Sequence, residues 1–122
     1  MIKQVNRNEK RKARHKRIRK KISGTFSRPR VCIYKSLKHI HLQAIDDENG
    51  HTLIYLSTLT PEIRETLKGK KNKEAYILLG QKMADLLLEK GIKTIIFDRS
   101  GYMYHGNIKA LCEEMRKKGI EF

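Results

Sequence analysis

Three groups of residues in this 122-residue chain have the types and spacing that chemistry could use. The first is the loop Asp98-Arg99-Ser100-Gly101-Tyr102-Met103-Tyr104-His105-Gly106, which holds the three side chains of a Ser/His/Asp triad in Ser100, His105 and Asp98. A hydrolase presents its serine on a GxSxG elbow and gathers the partners from other parts of the fold. Here the motif is missing and all three residues crowd one loop. A recognition surface is the better functional reading: Arg99 offers a fork to phosphate, and Tyr102, Tyr104 and His105 offer planar faces with polar tips. A purely structural loop, its aromatics tucked against the fold, weighs equally on physics alone. The second group is Asp46-Asp47-Glu48, which invites a Mg²⁺ site for phosphoryl transfer. Such a site needs carboxylates converging from several strands, whereas neighbours in an extended chain point in alternating directions. A solvated hairpin turn explains the trio better. The third is His39 and His41, on one face of a strand at a spacing that can chelate a metal. No third ligand is evident beside them, and adjacent Lys38 favours RNA or solvent contact. No catalytic residue, metal site or cofactor is therefore expected.

Charge is more informative than these groups. The chain carries a net charge of +15, and the first 45 residues supply nearly all of it. They contain Lys3, Arg7, Lys10, Arg11, Lys12, Arg14, Lys16, Arg17, Arg19, Lys20, Lys21, Arg28, Arg30, Lys35 and Lys38 against the single acid Glu9. Residues 46–122 hold thirteen basic residues against twelve acids. One-ended charge of this kind repels itself unless a polyanion lies against it, and nucleic acid is the commonest one. His15, inside the run, reads as part of it. Cys32 and Cys112 stand alone in apolar stretches and read as small buried hydrophobes rather than zinc ligands. No run of eighteen apolar residues exists to span a membrane, and the N-terminus lacks a secretory apolar stretch. A transit peptide would carry more serine and an apolar helical face. A cytoplasmic protein is expected.

The elements follow from periodicity. Residues 1–22 favour helix by composition, but they have no apolar stripe, and like charges four apart (Lys10/Arg14, Lys12/Lys16, Lys16/Lys20) oppose it. Alone in water this basic arm should be disordered or only partly helical. Residues 23–122 form one globular domain. Val31–Tyr34, His39–Ile45 and His51–Ser57 read as strands, the last two joined by a turn ending in Asn49-Gly50. Their wet face carries His, Lys and Gln. Thr60-Pro61 starts a short helical turn to Leu67, with Thr60 as cap, followed by a loop at Lys68-Gly69-Lys70-Lys71. A helix over 72–89 buries Tyr76, Leu79, Met83, Leu86 and Leu87, with Gly80 in the stripe signalling close approach to the sheet. Ile92–Phe97 reads as a buried parallel strand, and Asn107–Lys118 as a final helix. The expected fold is α/β, a βββ-α-β-α mixed sheet. It combines a three-stranded antiparallel meander and one parallel strand with helices packed on it and a basic N-terminal arm.

At the 97–106 loop a family becomes recognisable. Phe97-Asp98-Arg99-Ser100-Gly101-Tyr102-Met103-Tyr104-His105-Gly106 resembles the signature of ribosomal protein L eighteen of the bacterial large subunit. Ser27-Arg28-Pro29-Arg30-Val31, Lys38-His39-Ile40 with Gln43, Ser57-Thr58, Gly91-Ile92 and the terminal Gly119-Ile120-Glu121-Phe122 agree in order. Leu37 and Asn107 depart from it, standing where the family usually has Asn and Arg. The resemblance implies a non-enzymatic protein of the ribosome that binds 5S rRNA. It would help attach that RNA to 23S rRNA in the central protuberance, beside neighbouring large-subunit proteins. Carried over by position, the RNA contacts are the arm's Lys and Arg with His15, then Arg28, Arg30, Lys35, Ser36, Lys38, His39, Ser57, Thr58, Arg99, Tyr102, Tyr104 and His105. The alternatives are a small nuclease acting on structured RNA, a general DNA-compacting protein and a membrane-surface binder. The last of these needs an amphipathic arm that the sequence lacks.

Overall fold

Alternating apolar residues turn the stretch from 30 to 57 into a meander. In the computed structural model, which describes residues 7–67 and 72–122, Ile40, Leu42 and Ala44 are buried on one face while His41 and Gln43 lie on the other. The elements run α1 (Arg7–Arg19), β1 (Arg30–Lys35), β2 (Ile40–Asp46), β3 (His51–Ser57), α2 (Pro61–Leu67), α3 (Lys73–Glu89), β4 (Ile96–Asp98) and α4 (Gly106–Lys117). The four strands form one mixed sheet in the order β3-β2-β1-β4. β1 pairs antiparallel with β2, with Arg30 opposite Ile45 and Lys35 opposite Ile40. β2 and β3 are antiparallel, with a bulge at Ala44/Ile45, and β4 runs parallel to β1. This is the α/β fold that the sequence pattern indicates.

One face of the sheet meets α3 and α4. Val31, Ile33, Ile40, Leu42, Ile54 and Leu56 from the strands share a core with Leu79, Met83, Leu87, Leu111 and Met115. Cys112 belongs to this core, and burial pushes its thiol up to about 12, so it behaves as a small hydrophobe. Cys32, on the other face, is only half-buried.

Four local expectations need correction. The strand expected over 92–97 is shorter and lies further along the chain. Ile96 N–H reaches Pro29 O, where β1 begins; Pro29 has no N–H of its own to extend the ladder. The preceding residues pair instead with the C-terminal segment: Glu121 N–H donates to Lys93 O and Ile95 N–H to Glu121 O. Thr60 does not cap α2 with its side chain, because its hydroxyl accepts from Ser57 N–H. The acidic turn is not simply solvated: Asp46 is buried, accepting from Glu48 N–H and Asn49 Nδ2. Finally, Gly80 serves a helix–helix contact rather than a helix–sheet one, since a Cβ there would meet Leu111 O of α4 at 2.7 Å. The Lys68-Gly69-Lys70-Lys71 loop lies outside the described residues.

Gly80 yields a test against simple propensity. Alanine is the better helix former by about 1 kcal/mol, yet its methyl would collide with backbone in a packed core. Gly80→Ala should lower stability by about 1–3 kcal/mol, the usual cost of overpacking. Denaturant melts at equal or higher stability would show that α3 and α4 can separate freely.

Candidate nucleic-acid interface

The body holds α1 through a knot of charges where β1 begins and β2 and β4 end. Arg30 is 7% exposed, and the carboxylate of Asp98 is fully buried. The Arg30 fork donates from Nε and Nη2 to the two oxygens of Asp47, at 3.0 and 3.1 Å, and from Nη1 to Asp98 Oδ2 at 2.7 Å. Ser100 N–H closes on Asp98 Oδ1 at 2.8 Å, and Gly24 N–H on Asp47 Oδ2 at 2.7 Å. Burial alone would lower the Arg30 pKa, but the bonds to Asp47 and Asp98 outweigh it and hold it above its ordinary value. The Arg30 hydrogen bond in turn holds the Asp47 carboxyl below the usual range. Asp98 therefore serves Arg30, Ser100 N–H and His15, and is engaged there rather than in a triad with His105.

α1 docks on this knot with polar groups. His15 Nε2 donates to Asp98 Oδ2 at 2.9 Å, and Arg14 Nε to Gly101 O at 2.7 Å. Arg11 Nη1 donates to Ser100 O at 3.0 Å, while Arg19 reaches Ile22 O and Asp47. Residues 11, 14, 15, 18 and 19 recur at helical spacing, and all five are partly buried. The arm expected to be loose is thus a 13-residue helix without an apolar stripe, because main-chain carbonyls and buried acids take its inner cations. Gly101 makes the approach possible. It has φ of +83°, and a Cβ there would meet Arg11 O and His15 N of the helix. The remaining cations, Arg7, Lys10, Lys12, Lys16, Arg17, Lys20 and Lys21, are exposed. Lys3 lies outside the described residues.

The 98–106 loop is part structural and part surface. Arg99 Nη1 donates to Tyr102 O, bracing the loop. Tyr102 is packed against the core, and its hydroxyl accepts from Lys35 N–H at 3.0 Å. Arg11 and Lys35 stand over its ring at 4.8 and 4.7 Å, so cations of two segments meet on one aromatic. Tyr104 and His105 are exposed, with Arg116 donating to the Tyr104 hydroxyl. Ser36, His39, Ser57 and Thr58 set the turns at the strand ends. Ser36 Oγ accepts from His39 N–H; Thr58 Oγ1 accepts from Ile40 N–H and bonds His39 Nδ1; Ser57 Oγ accepts from Leu59 N–H. Arg28 and Lys38 are exposed.

The sheet face away from α3 and α4 carries a feature that the motif reading missed. Tyr34, His41 and Tyr55 lie in a row across β1, β2 and β3, with ring centroids 5.9 and 6.1 Å apart. The Tyr55 hydroxyl is bonded to His41 Nδ1 at 2.7 Å. Burial, then the charge of nearby His39, holds His41 below the ordinary imidazole range. Strand alternation places each residue on the wet face; only the register shows that the three are neighbours.

These features define a class: a small α/β protein that shows one cationic helix face beside an open aromatic sheet. Comparison with known proteins narrows it. Residues 5–122 match the family described as "Ribosomal L18 of archaea, bacteria, mitoch. and chloroplast". The chain is 55% identical over 122 residues to the large ribosomal subunit protein uL18 of Caldicellulosiruptor saccharolyticus, covering 100% of this chain and 98% of that one. It is 53% and 54% identical to the uL18 proteins of Caldanaerobacter subterraneus and Dictyoglomus thermophilum, in both cases covering 100% of each chain. The chain belongs to the ribosomal L18 family. It is a structural protein of the large ribosomal subunit, not an enzyme.

Two measurements test the knot. Asp98→Ala strands the buried Arg30 charge and should cost about 3–5 kcal/mol in equilibrium unfolding; a loss under about 1 kcal/mol would place the pair in the class of surface bridges. Because the Asp47 pKa is depressed on folding, its contribution is complete above the ordinary carboxylate value and is lost as pH falls through the folded value. Stability followed from about pH 6 to pH 3 should therefore fall less steeply in Asp47→Asn than in the native chain. Parallel curves would contradict this.

Proposed function

We propose that this protein binds 5S rRNA and helps attach it to 23S rRNA in the central protuberance of the large subunit. Residues 1–22 act as the RNA-binding arm and residues 23–122 as the body that places it, beside neighbouring ribosomal proteins. The observation that carries this reading is the sorting of the α1 charges. Arg11, Arg14, His15 and Arg19 are turned onto the body, while Lys10, Lys12, Lys16 and Arg17, with Lys20 just beyond the helix, are turned away from it. Opposed like charges on one helix face are unfavourable unless counter-charges cover them, and a phosphate backbone supplies these.

The division of labour follows. The outward cations of α1, with Arg7, Lys21, Arg28 and Lys38, supply the phosphate contacts. Arg11, Arg14, His15, Arg19, Arg30 and Arg99 hold the surface in register, as Ser36, His39, Ser57 and Thr58 do at the strand ends. Lys35 and Tyr102 form the joint between them, and Tyr104 and His105 extend the surface. On the open sheet, Tyr34, His41 and Tyr55 offer faces to unpaired bases. Folded RNA is the fitting target, because RNA helices hide their base edges and are read by backbone, 2′-hydroxyls and splayed bases. This reading favours RNA over duplex DNA. A membrane surface fits less well, since such binding needs an amphipathic helix and α1 has no apolar stripe.

A salt titration of filter binding with a 5S transcript tests the assignment. Replacing Lys10, Lys12, Lys16, Arg17 and Lys20 with alanine should flatten the log–log salt slope by about 0.7–0.9 for each phosphate that is no longer neutralised. An unchanged slope with the body folded would remove α1 from the interface.

A further inference from the structure

A concavity lies where α1 runs out against the edge strand β4. It is an open groove of about 430 Å³, within the range of small-ligand sites. Ile18 and Ile22 line one side, and Phe97 and Phe122 lie opposite, their ring centroids 6.0 Å apart. Arg116 caps the aromatic side: its guanidinium stands 4.2 Å from the Phe122 centroid, and it donates to Phe122 O and the Tyr104 hydroxyl. These contacts orient its plane. Arg28 and Arg99 complete a rim of three arginines, and no Asp or Glu side chain lines the cavity among the described residues.

We infer that this pocket takes one unstacked RNA base, its phosphate held by the arginine rim. The inference rests on the RNA-binding reading above and adds a subsite separate from the outward face of α1 and the open sheet. Each part matches one component of a nucleotide. The aromatic rings and the oriented guanidinium offer planes for stacking, as single-stranded bases require, and the rim offers charge-assisted donors to phosphate. A neighbouring protein would have to bring its own acids to satisfy three arginines around an apolar floor. A phosphodiester-linked base brings both parts in one residue.

The chain contains no Trp, so Phe122→Trp gives a single indole reporter in the pocket wall. On saturation with a 5S transcript, followed in parallel by gel shift, its emission should be quenched and its exposure to iodide should fall. Tyr104→Ala should weaken binding about tenfold with an unchanged melting temperature, as expected for an exposed ring. Arg116→Lys, which keeps the charge but loses the plane, should resemble Arg116→Ala. An indole unaffected in a fully shifted complex would overturn the subsite while leaving RNA binding intact. Full rescue by lysine would do the same, as would protection that develops only when other ribosomal proteins are added. Failure of the unaltered chain to shift the transcript would overturn the underlying reading itself.

Discussion

A buried arginine between two carboxylates organises the functional side of this protein. Arg30 sits at the start of β1, Asp98 at the end of β4 and Asp47 just beyond β2, so a single guanidinium ties three strands together. A buried charge pair of this kind contributes modestly to net stability, because desolvation offsets much of the attraction, but losing one partner is severe. Its consequence here is placement. The same two carboxylates receive His15 and Arg19, so the element that fixes the sheet edge also fixes α1.

Docking by polar groups fits a helix that must keep its outer face cationic. An apolar stripe would seat α1 more firmly, but residues 7–19 are too rich in Lys and Arg to hold one. Main-chain carbonyls of Ser100 and Gly101 and the two acids accept the inner cations instead. The outer set repel one another, and a polyanion would relieve that repulsion. The sharp 98–101 turn, with Ser100 and Gly101 both at positive φ, is what brings those carbonyls under the helix.

Much of this was legible in the residues. Alternation at 40–45 and the i, i+3, i+4 spacing at 108–115 revealed the meander and the last helix, and the charge bias located the arm. The acidic turn and the catalytic-looking loop were rightly denied enzymatic roles. Their actual use was hidden, because Asp47, Asp98, Arg30 and His15 are far apart in sequence and no local pattern announces their meeting. Arg30, which the resemblance implies as an RNA contact, is buried between Asp47 and Asp98. Within the arm, composition could not separate inner cations from outer ones; the position of Gly101 against Arg11 and His15 does. Tyr34, His41 and Tyr55 escaped notice because cross-strand register, not spacing, makes them a row.

The proposed RNA recognition requires the body to hold α1 while the opposite helix face meets phosphate. Amide hydrogen exchange over residues 7–19, measured in the complex with a 5S transcript, probes that requirement when the native chain is compared with Arg14→Ala/His15→Ala. Strong protection is expected in the native complex and rapid exchange in the variant, although both replaced side chains are turned onto the body. Equal protection in both complexes would mean that RNA alone holds the helix, and docking on the body would have no part in recognition.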